Sequence, residues 1–259
     1  MKRLEYKVIG ITILFLLCWM GYIPLASRGA VVWSDDFNDG NYDGWTICDN
    51  STHFDGDWGF GGSNWTAANG WLQVESGFEE KGWAIISHPS NVVYGKWSFD
   101  FKTEQREAGI IGSVRFISEN FHDWDDYESE ATLYLVQFTV SVLETGSGMA
   151  IALAKSVDGV GTTIDSSESA VPIAGWHHIE VTRTTTGLLS VYHNGSLIVQ
   201  GVGPEIDTSE MFWLWFSLES MIDNVVVDDA PPTDWLPIAI IGASAVVIVA
   251  VLVIILKRR

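Results

Sequence analysis

The chain has 259 residues, with 33 acidic against 14 basic side chains and a net charge of −19. Every acidic residue except Glu5 falls between residues 31 and 235, but only seven of the basic ones do, so this stretch holds 32 acidic against 7 basic residues, a net of −25. That balance excludes nucleic acid as a partner, because phosphate recognition needs clustered Lys and Arg, and it favours solubility and divalent cations.

In chain order, Lys2, Arg3 and Lys7 precede an apolar run from Val8 to Ala26, and the small residues Ala26, Ser27, Gly29 and Ala30 follow Pro24. Residues 1–30 therefore read as a secretory signal peptide or, since the run is long, an uncleaved signal anchor. Next comes "DDFNDGNYDGW", Asp35 to Trp45. Within it, Asp39 to Gly44 matches D-x-N-x-D-G, the first half of a calcium loop, in which alternating oxygens meet one hard cation. The twelfth position, counted from Asp39, is Asn50 where such a loop needs Glu. We expect Gly-containing turns here, with Asp and Asn capping their own backbone. Cys48 is the only cysteine between residues 31 and 235, so this part has no internal disulfide, and Cys48 reads as a small buried hydrophobe or a free thiol. Asn50, Asn64 and Asn194 each open an Asn-x-Ser/Thr sequon, where a chain outside a membrane can carry glycan.

From here short runs rich in Val, Ile, Trp, Tyr and Phe recur, separated by Gly, Asn, Asp and Ser. The predicted strands are 31–37, 71–76, 84–88, 96–102, 112–118, 133–143, 149–156, 176–184, 188–193, 197–202, 211–218 and 221–227. A dozen strands in some 200 residues imply an all-β domain of two packed antiparallel sheets, a jelly-roll sandwich. Asn194-Gly195 between two of them is the favoured pair for a type I′ hairpin. Ahead of the 133–143 strand lies "DDYESEATLYL". On a strand it would put Asp126, Glu128 and Glu130 on one face, and paired carboxyls are the machinery of glycosidases. His177 and His178 alternate faces, so they cannot share one metal from a strand.

Arg115 and Gln137 are polar residues inside the apolar runs "SVRFI" and "YLVQFTV". In "MFWLWFSL", Trp213 and Trp215 share one face, and Phe212, Leu214 and Phe216 share the other. One face goes to the core and the other to solvent or a groove. If the Trp face is the outer one, Trp213, Trp215, Arg115 and Gln137 are the candidate ligand-binding residues, since sugar rings stack on indoles. If it is the inner one, the tryptophans are core. In "MIDNVVV", Asp223 shares a face with Val225 and Val227 and needs a partner there. The chain closes with a short linker (230–235), an uncharged apolar stretch from Leu236 to Leu256, and the basic tail 257–259. Its length matches a membrane-spanning helix, and the basic triplet places the tail in the cytoplasm and residues 31–235 outside the cell.

"GWHHIEVTRTTTGLLSVYHNGSLI" followed by "MIDNVVVDD" resembles the C-terminal half of laminin G-like and concanavalin A-like jelly rolls. "DDFNDGNYDGWT" and "NGWLQVES" resemble the entry strands of their bacterial and archaeal relatives. The resemblance spans most of residues 33–229. It implies fold more than function, because the superfamily holds lectins, glucanases, lyases and adhesion modules. For the glucanase branch it implies a structural calcium held by Asp223 with the first strand, where Asp36 lies. That branch also carries a strand motif E-x-D-x-E, from which Asp126-x-Glu128-x-Glu130 departs at the nucleophile position and at the centre. The expected function is a membrane-anchored surface module that binds glycan or another surface protein. A tethered glycoside hydrolase or lyase and a structural envelope component are the alternatives.

Overall fold

The structure, a computed structural model, describes residues 30–48, 64–75, 83–103, 108–119, 132–143, 146–167, 171–203, 205–217 and 220–229. The signal segment (1–29), Asn50, the Asp126, Glu128 and Glu130 set, the linker and the apolar stretch 236–256 lie outside them. Among the described residues no helix is long and apolar enough to cross a membrane. Residues Gly29–Pro232 form one compact unit, and its described elements are all strands, joined in two antiparallel sheets.

The first sheet (sheet A) runs β14 (Ser196–Val202), β13 (Leu188–His193), β12 (His177–Arg183), β6 (Gly95–Thr103), β16 (Ser220–Asp228), β4 (Trp71–Glu75), β3 (Asn64–Ala68), with β1 (Val31–Asp35) also paired to β16. The second (sheet B) runs β10 (Val160–Ser166), β9 (Gly146–Val157), β8 (Thr132–Leu143), β7 (Gly109–Glu119), β15 (Met211–Ser217), β5 (Trp83–Pro89), β2 (Thr46–Ile47), with β11 (Val171–Pro172) on β9. All twelve predicted strands are present. The four unpredicted ones are β2 and β11, two residues each, and β3 and β10, whose "NWTAA" and "VGTTIDS" carry few β-branched apolar residues.

Period-two alternation sends one set of side chains from each sheet inward. Sheet A contributes Trp97, Phe99 and Phe101, and sheet B contributes Phe116, Phe138 and Phe216, all fully buried. Their rings interlock between the sheets: Phe101 lies 4.7 Å from Phe138 and 5.6 Å from Phe216, and Trp97 lies 5.1 Å from Phe116. Gly112 is glycine because a Cβ there would come within 2.4 Å of the Phe216 ring. Asn194 and Gly195 take φ of 48° and 80°, the left-handed pair that the hairpin needs.

One end of the sandwich is closed by polar groups. Arg183 of β12 is fully buried. Its guanidinium donates to Gly203 O at 2.7 Å and Val93 O at 3.3 Å, and stacks on the rings of Tyr94 and Tyr134 at 4.9 and 5.1 Å. The Tyr134 hydroxyl donates to Glu205 at 2.8 Å, and Lys155 Nζ reaches the other Glu205 oxygen at 2.6 Å. Burial, then the Glu205 carboxylate, pushes the Tyr134 hydroxyl up to about 12, while the Lys155 hydrogen bond holds Glu205 down at about 2.

The aspartate-rich opening is a run of turns. Asp35, Asp36, Asp39 and Asn41 each accept a hydrogen bond from the backbone N–H two residues on. Asp35 does more: its second oxygen accepts the Trp45 indole N–H at 2.8 Å, closing the loop. Phe37, fully buried, sits at φ 49°, a left-handed conformation held by the Asp35 bond to its N–H. Asp35→Ala should therefore cost about 1–2 kcal/mol in urea unfolding, because it orphans a buried indole N–H. Asp39→Ala, on an exposed turn, should stay within roughly 0.5 kcal/mol of the parent.

Candidate functional site

The two faces of β15 part company. Phe212, Leu214 and Phe216 enter the main core, whereas Trp213 and Trp215 point to the other side of sheet B. There Trp213 clusters with Ile85 and Leu133, and with the partly buried Cys48, Leu135, Met211 and Trp215.

Register builds the rest of this face, because directly paired residues of antiparallel strands share a side. Trp213 pairs with Ser87 on one flank and Arg115 on the other, and Arg115 pairs with Leu135. One residue pair along, Trp215 stands between Ile85 and Ser113, and Ser113 pairs with Gln137. Ala152 and Ala154 of β9 continue the two rows with small side chains. Trp213, Trp215, Arg115 and Gln137, scattered over 101 residues of sequence, thus form one patch on the outward face of sheet B. The Arg115 guanidinium lies 5.4 Å from the Trp215 ring centroid, within cation–π range. Trp213 and Arg115 are only 3% and 1% exposed, while Trp215 and Gln137 are half-buried. Trp213 therefore makes the floor of the patch, and Trp215 is the more exposed of its two indoles.

Cys48 belongs to this face, which its sequence neighbours do not reveal. Its backbone N–H donates to Ile85 O, and its thiol lies 3.1 Å from the Ser87 hydroxyl. Among the described side chains, β5, β7, β8 and β15 carry no Asp or Glu at all. The candidate acids Asp126, Glu128 and Glu130 fall outside the described residues.

The outward face of sheet A gathers the other candidates. Asp223 pairs with Asp100 across β16 and β6, at a bulge where Asn224 takes φ 50°, and this extra residue turns Asp223 outward, so it does not share the face of the buried Val225 and Val227 as expected. The Asn224 amide donates to Asp100 at 2.9 Å and to Asp223 at 3.2 Å, and its backbone N–H donates to Asp223 at 2.7 Å. The remaining Asp100 oxygen meets His178 Nδ1 at 2.6 Å. His177, on the opposite side, is buried and bonds His193 and Ile173 O. The Asn194 side-chain oxygen accepts the His178 backbone N–H, which braces the hairpin turn.

Asp223 and Asp36 are near neighbours, as the resemblance to glucanases implies. Burial raises the Asp223 carboxyl above the ordinary range, and the like charges of Asp100, Asp36 and Asp35 add to the rise. Yet the described residues bring together no group of three His, Cys, Asp or Glu placed to hold a metal ion. The Asp223 and Asp100 oxygens are already engaged by Asn224 and His178, and Asp36 accepts from Asn38. We derive no role for the calcium that the resemblance implies. A raised carboxyl pKa means that the native state holds the proton more tightly than the unfolded chain. Stability then falls as pH rises from the ordinary carboxylate value through the raised one, and Asp223 is a net cost at neutral pH. Asp223→Asn should raise the melting temperature at pH 7 by on the order of 1 °C, and the difference should vanish in melts at pH 3.5.

No protein-family model matches the chain, and no curated protein matches it. Solved structures do. A laminarinase from Flavobacterium sp. UMI-01 is 13% identical, with a TM-score of 0.56 over 77% of this chain and 100% of that one. SCLam, a non-specific endo-β-1,3(4)-glucanase from family GH16, is 12% identical, with a TM-score of 0.56 over 78% of this chain and 91% of that one. A protein of unknown function with a galectin-like fold from Bacillus subtilis is 11% identical, with a TM-score of 0.57 over 80% of this chain and 99% of that one. At these identities the likeness defines architecture alone, and with the strand order above it gives the chain the concanavalin A-like jelly-roll fold.

Proposed function

We propose that the domain is a glycan-binding module, displayed outside the cell and held to the membrane by the apolar stretch from Leu236 to Leu256. The observation that carries the reading is the patch on sheet B: two neighbouring indoles, a guanidinium against one of them, and a side-chain amide, all on the outward face of a rigid sheet. Indole faces suit the C–H faces of sugar rings, and Arg and Gln suit their hydroxyls. Several structures with this fold are named as enzymes that act on glycans, which supports the ligand class. The reading rests on that patch, while the candidate acids Asp126, Glu128 and Glu130 lie outside the described residues.

Cys48 reports on the site directly. Its half-buried thiol lies in the Trp213 cluster, so a glycan seated over Trp215 should slow its alkylation. A glycan that is retained yet leaves the alkylation rate unchanged would have to bind elsewhere.

A further inference from the structure

We propose a second glycan-binding face on the opposite side of the sandwich, centred on Trp71 and Trp176 of sheet A. It takes a neutral sugar ring stacked on the exposed Trp176 indole, which Trp71 braces.

Both tryptophans point away from the core. Trp71 precedes the buried Leu72 on β4, and Trp176 precedes the buried His177 at the start of β12. β6 and β16 lie between those strands, yet the two rings lean together to a centroid distance of 6.3 Å, inclined by 60°. Trp176 remains 42% exposed, in a domain that buries Trp65, Trp97 and Trp213 almost completely. The Trp71 indole N–H is held by Gln73 at 3.4 Å, which fixes the ring. The Asp223–Asp100 pair and its bridging Asn224 lie on the same outward face, on the strands spanned by the two rings.

Geometry and charge together select the occupant. Two indoles in edge contact cannot pave a flat ribbon, but Trp71 braces the exposed Trp176 ring, which offers its face to one sugar ring. The Asp100 and Asp223 carboxylates on this face, already bonded by Asn224 and His178, set its charge rather than its sugar contacts. Asp100 and Asp223, with Asp35 and Asp36 near Asp223, outnumber the basic groups beside them on this face, Lys102 and the Asp100-bound His178, and so disfavour sulfated, sialylated and uronic chains. A neutral sugar is what remains. This proposal stands independently of the sheet B patch. If both faces bind, a single domain bridges two glycan chains.

The test is a glycan array of neutral and anionic sugars, probed with the full chain in detergent as wild type, Trp71→Ala/Trp176→Ala, Trp213→Ala/Trp215→Ala, and the quadruple variant. Some neutral glycan should still be retained by Trp213→Ala/Trp215→Ala and drop about tenfold or more in the quadruple variant, with no anionic glycan behaving so. If those two variants give the same array, the second face does not bind sugar. That result leaves the sheet B patch to be judged separately, by wild type against Trp213→Ala/Trp215→Ala. Should Trp71→Ala perturb the fold, Trp176→Gln alone keeps the comparison, because that exposed ring contributes little to the core. Retention that survives enzymatic removal of the glycan from its carrier would mark a protein-docking surface and overturn the proposal.

Discussion

Arg183→Ala should destabilise the domain by about 3–5 kcal/mol, a drop of roughly 10 °C in melting temperature for a unit of this size. The substitution removes the donor to two carbonyls, Gly203 O and Val93 O. It also removes the partner that two tyrosine rings stack on, and it leaves a void where the stem lay. The backbone cannot close that void easily, since a Cβ on Gly203 would already meet the Tyr134 hydroxyl at 2.4 Å. Arg183→Met separates the contributions. It refills much of the volume without the donors, so it should recover about half of the loss. A variant as stable as the parent would show that the guanidinium is not what closes this end of the sandwich.

How much of this was legible in the sequence depends on how local the signal was. The Asn194-Gly195 turn needed only two residues, because positive φ at both positions leaves few choices. The strands that pack on the core were legible from period-two alternation, as with Phe99 and Phe101 on β6 or Phe212, Leu214 and Phe216 on β15. The edge strand β10 was not, because an edge half in solvent tolerates the Gly and Thr of "VGTTIDS". For Trp213 and Trp215, alternation showed that they share a face but not which way it points. Only the seating of Phe212, Leu214 and Phe216 in the core between the sheets settles that. Arg183 gave no warning at all. "VTRTTTG" reads as a strand running into a turn, and its burial follows from Tyr94, Tyr134 and Gly203, brought together only by the closed sandwich. Cys48 and Trp176 were hidden for the same reason, their neighbours being cross-strand or cross-sheet.

Trp215→Ala and Trp213→Ala should behave differently. Trp215 is the more exposed of the two indoles, so its loss should weaken glycan binding by about 30-fold or more and cost less stability than the loss of Trp213. Trp213 is 3% exposed, so its loss should weaken binding and also cost about 3 kcal/mol of stability. Equal effects of the two on stability would mean that Trp215 is packing rather than platform.

The most direct measurement is to incubate the full chain with a panel of polysaccharides and to score retention and released sugar in the same tubes. The account predicts that at least one glycan is retained through the sheet B patch and lost in Trp213→Ala/Trp215→Ala, and that no shortened product appears. Product release by the wild-type chain, or every retained glycan being held unchanged by that double variant, would contradict it.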